Sequence, residues 1–163
     1  MDGEEALSRL RDAVALWYVD LGRSAAIVYA ACDLLVTGID GPAVVALAAV
    51  NIGVADEEVP GLLDAALVEV GITPEVKGSA AADEKGLRML AARAIAGELT
   101  PRAFVTWTHR RFDYFVSDVI DGIHLFHENY SLLEDPYVRD LVPETREEID
   151  AQVLAEAWKL AVR

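Results

Sequence analysis

The stretch TPRAFVTWTHRRFDYFVSDVIDGIHLFHENY, Thr100–Tyr130, decides how this chain reads as a fold. Thr100 can cap a first helical turn, and Pro101 suits the first helical position, where its missing N–H costs nothing. Beyond them Phe112, Val116, Val119, Ile123, Phe126 and Tyr130 recur at alternating spacings of four and three, with Phe115 beside them. At about 100° per residue these positions form one apolar stripe, which predicts a single long amphipathic helix over 101–130. Asp113, Ser117, Asp121, His124 and Glu128 fall on the opposite side, a second stripe of polar and acidic groups that faces either water or another helix. An apolar stripe of that length must be covered, so the flanking chain should supply further helices.

On the N-terminal side, Leu87, Leu90, Ala91, Ala94 and Ile95 mark a helix over about 83–96 that Gly97 ends. The segment 75–83 is small, polar and aperiodic, the place for a connection. Asp56, Glu57 and Glu58 stand at the start of a helix over 59–70, where the helix dipole favours carboxylates, and Gly71 closes it. Gly38, Asp40 and Pro42 read as a helix stop, a cap and the first turn of a short helix. The helix over 25–37, capped by Ser24, is apolar nearly all round and should lie centrally, with its one charge, Asp33, in need of a partner. Leu7, Leu10, Val14, Trp17 and Leu21 give the first helix one buried face. On the C-terminal side, 132–143 reads as an ordered loop pinned by apolar residues around two prolines. Thr145 and Glu148 form a capping box for a last helix carrying Ile149, Val153, Ala157 and Leu160, with Trp158 among them. No segment alternates as a strand does. The expectation is an all-α fold, a single-domain bundle over 1–163 of about seven helices around the long C-terminal-half helix, with any seam near 75–83.

Composition agrees with a packed domain. The 163 residues are 53% apolar, and a chain of this length buries roughly 70% of its unfolded surface. Net charge is −14 and unevenly spread: thirteen acids against three Arg over Met1–Glu75, three acids against seven bases over Val76–Arg111, and twelve acids against four bases over Phe112–Arg163. Nucleic acid is a poor partner for such a surface, because counterion release needs a basic face; a basic protein would be attracted. The single Cys32 allows no internal disulfide and sits among apolar residues, as a buried thiol without a redox task does. An acidic N-terminus argues against a secretory leader, and the longest uncharged run, Gly41–Ala55, is shorter than the roughly 18 residues a membrane span needs. The expectation is a cytoplasmic protein with no cofactor.

Three constellations stand out. Asp121, His124 and Glu128, with Asp118 nearby, have the spacing of a helical metal site. No second helix offers a matching set, and His109 and His127 are expected to project elsewhere. Trp107, Tyr114, Asp118, Asp121 and Leu125 lie along one flank of the long helix, and aromatic residues among acids suit an anchor for a basic partner. The cations His109, Arg110, Arg111, Arg102, Arg88 and Arg93 are best read as internal salt-bridge partners. No serine or cysteine has a nucleophile's context, and no glycine-rich phosphate loop is present.

Ala30-Ala31-Cys32-Asp33-Leu34-Leu35-Val36-Thr37-Gly38-Ile39-Asp40-Gly41-Pro42-Ala43 and Ala94-Ile95-Ala96-Gly97-Glu98-Leu99-Thr100-Pro101 look like stretches of small uncharacterised all-helical actinobacterial proteins. The Gly97-Glu98-Leu99-Thr100 turn before an aromatic helix, within an acidic bundle, is similar to acidic immunity proteins of bacterial toxin systems. These resemblances imply an all-helical fold and a protein-binding role, and they supply no catalytic residues. The reading is a non-enzymatic acidic protein-binding module, most concretely an immunity or antitoxin-like protein that neutralises a basic bacterial effector. Two alternatives stand beside it: a metal-binding protein or metal-dependent enzyme using Asp121, His124 and Glu128, and a structural homodimer subunit.

Overall fold

A computed structural model describes residues 1–112 and 118–162, and of 118–121 the backbone alone. Every regular element among them is helical: α1 (Gly3–Tyr18), α2 (Ser24–Val36), α3 (Pro42–Ala48), α4 (Ala55–Glu69), α5 (Ala80–Ile95), α6 (Pro101–Arg111), α7 (Asp118–Glu134) and α8 (Arg146–Ala161). Short 3₁₀ turns occupy Ile52–Val54 and Arg139–Leu141. The chain divides into two compact units, Met1–Gly86 and Leu87–Arg163, and the division falls inside α5, beyond the aperiodic stretch at 75–83. Among the described residues no helix is long and apolar enough to cross a membrane.

In Met1–Gly86, α2 packs against α1, α3 and α4, the central place its all-round apolar sequence predicts. Leu10, Ile27, Ala31, Leu34, Leu47, Leu63 and Leu67 close the core. Asp33 finds Arg9 on α1, whose guanidinium also reaches Glu5. Ser24 does not cap α2 as expected; it is buried, and its hydroxyl accepts from the Trp17 indole N–H at 3.1 Å. Asp40 does not cap α3 either. The Glu69 carboxylate, from the far end of α4, accepts from the backbone N–H groups of Ala43 and Val44 at 3.0 and 2.9 Å. Gly41 leaves it room, since a Cβ there would overlap that carboxylate. A distant acid thereby satisfies the orphan donors of a helix that no neighbouring side chain caps. Cys32 is half-buried, with its thiol against the Ala48 carbonyl.

The connection after α4 is tied down at both ends. The Glu75 N–H donates to the Tyr18 hydroxyl at 2.8 Å, Lys85 pairs with Glu75, and Lys77 pairs with Asp20 while lying over the Trp17 ring. Gly86 is required beside the end of α1: a Cβ would overlap the Val19 side chain and sit 3.0 Å from the Ala15 carbonyl.

In Leu87–Arg163 the continuous helix over 101–130 is not found. α6 stops at Phe112, whose backbone is extended at φ −114°, ψ 128°, and α7 starts at Asp118; residues 113–117 lie outside the described ones. The described members of the apolar stripe, Phe112, Ile123, Phe126 and Tyr130, are buried, and α6 and α7 cover one another. Arg102 meets Glu134 and His109 meets His124, so α6 and α7 run antiparallel, with Phe104, Val105, Phe112, Ile123, Phe126 and Tyr130 buried. α8 packs on both helices through Ile149, Val153, Ala157 and Leu160. Its Thr145 and Glu148 form the capping box the sequence predicts. The loop before α8 is not pinned as expected: Tyr137 is 94% exposed and Leu141 78%.

Tyr130 joins all three helices. Its ring is fully buried, its hydroxyl donates to Asp150 on α8, and the guanidinium groups of Arg102 and Arg146 lie over it at 5.2 and 5.7 Å. Burial first, and the bond to Asp150 second, raise the phenol's pKa far above its ordinary value, so it stays a donor. Both arginines also bind Glu134, whose carboxyl the Arg102 hydrogen bond holds below the usual range.

Candidate functional site

The two helices that replace the single long one scatter the expected aromatic and acidic flank. Trp107, on α6, is half-buried with its ring edge-on to Phe112 at 5.6 Å. Leu125, on α7, is 57% exposed. Tyr114 and the side chains of Asp118 and Asp121 lie outside the described residues. Trp107 and Leu125 do not share one helix, because α6 ends before Phe112, whose backbone is extended.

The polar stripe is also rearranged. His124, on the stripe that the sequence leaves open to water or to another helix, is 2% exposed; Glu128, one turn on, is exposed. His109 and His127 do not project elsewhere. The Nδ1 atoms of His109 and His124 are 2.7 Å apart, and the His109 and His127 rings stack in parallel, 9° apart in tilt and 3.9 Å between centroids. Each position follows from the fold-back, which sets the last turn of α6 against the first half of α7 and leaves His124 and His127 three residues apart on one helical face.

The Nδ1 contact requires one ring to donate and the other to accept, so at least one of the pair is a neutral imidazole with its proton on Nε2. Among the described residues no group of three or more His, Cys, Asp or Glu side chains is arranged to hold a metal ion. Stacking explains this for the histidines, since parallel rings cannot both direct in-plane lone pairs at one ion.

His127 is held below the ordinary imidazole value by burial, then by repulsion from His109, Arg102, His124 and Arg110. The unfolded chain takes up this proton near pH 6.5 and the folded chain only at lower pH. The stability contributed by neutral His127 is thus fully present above about pH 6.5 and declines as the pH falls through the window beneath it. Thermal unfolding followed from about pH 7.5 to about pH 5 is expected to show that decline, and His127→Gln to flatten part of it. Identical pH profiles for the two proteins would contradict the assignment.

A second surface lies in the first unit. Met1–Gly86 carries fifteen acids against five bases. Arg9, Lys77 and Lys85 are engaged with acids of the same unit. Along 45–58 exposed apolar side chains, Val45, Ile52 and Val54, precede the exposed Asp56, Glu57 and Glu58 of the first turn of α4. Periodicity missed this surface because it scores buried faces; the signal present in the sequence was an apolar run ending on three consecutive carboxylates.

No protein family, characterised protein or solved structure matches the chain.

Proposed function

We propose that the chain is a non-enzymatic acidic protein-binding module that docks a basic protein, most concretely an immunity or antitoxin-like protein that neutralises a basic bacterial effector. The observation that carries this reading is the 45–58 surface, where exposed apolar groups adjoin three carboxylates in a unit with a large excess of acid. Apolar groups give a docked partner area to bury, and the acids steer it in and reject acidic competitors. The helix dipole also favours carboxylates at the start of α4, but it requires no apolar neighbours in solvent. Trp107 on α6 and Leu125 on α7 do not share one helix. The test is the affinity for the purified product of the adjacent gene, measured at low and high salt. Binding that weakens as salt rises supports the reading, and no binding at either salt concentration removes it.

A further inference from the structure

We propose that α8 pairs with the α8 of a second copy of this chain, in antiparallel orientation. A helix packed on a domain through one face ordinarily turns its polar side outward. α8 does not. Its buried stripe is Ile149, Val153, Ala157 and Leu160, yet directly opposite stand Ala151, Ala155, Trp158 and Val162, all exposed, with Trp158 at 59%. An indole left in water beside three small or branched apolar residues is a pattern of interfaces, where tryptophan is an enriched anchor.

Size and charge both point to self-pairing. Trp158 is the one bulky group of the face, and Ala151 and Ala155, two and one turns earlier, are the flat ground it needs. A two-fold axis near Leu154 and Ala155 lays each Trp158 over Ala151 and Ala155 of the other copy, so that knob and hole are both filled twice. The charges run the same way: Glu147 and Glu148 lie in the first turn and Lys159 in the last. Antiparallel pairing brings Lys159 of one copy toward Glu148 of the other on the same flank, whereas parallel pairing sets like charges together. The isologous contact closes on itself and stops at two copies.

One helix pair is at the small end of stable interfaces, so the dimer should dissociate in roughly the micromolar range. Sedimentation of the whole chain at about 5 and about 500 µM is expected to show a mass that doubles with concentration. Trp158→Glu should be a monomer at both concentrations with an unchanged melting temperature. Trp158→Ala should weaken pairing at least tenfold, and the double variant Ala151→Trp with Trp158→Ala, which exchanges knob and hole, should restore it. A wild-type monomer at both concentrations overturns the proposal, as does a dimer that Trp158→Glu leaves intact. A Trp158→Glu variant that melts lower while wild type is monomeric would show the face covered within the same chain, which also overturns it.

Discussion

Tyr130→Ala is expected to destabilise Leu87–Arg163 by about 3–5 kcal/mol, the usual cost of removing a buried aromatic ring. Against a typical total of about 5–15 kcal/mol, that removes from about a fifth to all of the margin. The ring is fully buried where α6, α7 and α8 meet, so no neighbour can close the cavity without moving a helix. Truncation also leaves Asp150 without its donor and strips the apolar surface beneath Arg102 and Arg146. Tyr130→Phe isolates one part of this. It keeps the ring and deletes the hydroxyl, for an expected loss of about 1–2 kcal/mol. Urea unfolding followed by amide exchange in 123–160 reads the unit separately from the rest of the chain. Equal losses for the two variants would show that the hydrogen bond, not ring packing, joins the three helices.

Neutralising the first turn of α4 should have the largest effect on binding. Asp56→Asn, Glu57→Gln and Glu58→Gln together remove three charges with almost no change in volume. They touch none of the buried positions Val59, Leu63, Ala66 and Leu67. If a basic protein docks on this surface, association at low salt should slow at least tenfold, because steering by surface charge acts chiefly on the on-rate. At high salt the triple variant and the wild type should converge. The helix loses some dipole stabilisation, about 0.3–1 kcal/mol per group, which circular dichroism and melting would report separately.

How far the sequence anticipates these features depends on the range of the interaction. Signals written within a few residues hold: Thr145 with Glu148 caps α8, Thr100 with Pro101 opens α6, and Gly38, Gly71 and Gly97 have the positive φ of helix ends. Solvent-averse stripes hold too, since Ile123, Phe126 and Tyr130 are all buried. Periodicity does not say whether a stripe is covered by other helices or by its own chain doubling back. Phe112 fits a helical pattern equally well as an extended residue, and the 3.6-residue period carries no term for that choice. The meeting of His109, His124 and His127 depends wholly on the fold-back, so it was invisible for the same reason. The Glu69 cap on α3 is a contact across 26 residues that no local rule reaches. The outer face of α8 was present in the sequence as Ala151, Ala155, Trp158 and Val162, but beside a clear buried stripe it reads as noise until exposure separates the two.

If an acid-rich surface in Met1–Gly86 holds a basic protein, its charge must carry part of the affinity. The most direct test is the affinity of the wild type and the Asp56→Asn, Glu57→Gln, Glu58→Gln variant for the product of the adjacent gene, each at low and at high salt. The wild type should bind tightly at low salt, the variant at least tenfold more weakly there, and the two with near-equal affinity at high salt. Equal affinities at low salt, or no binding by either protein, would contradict this reading.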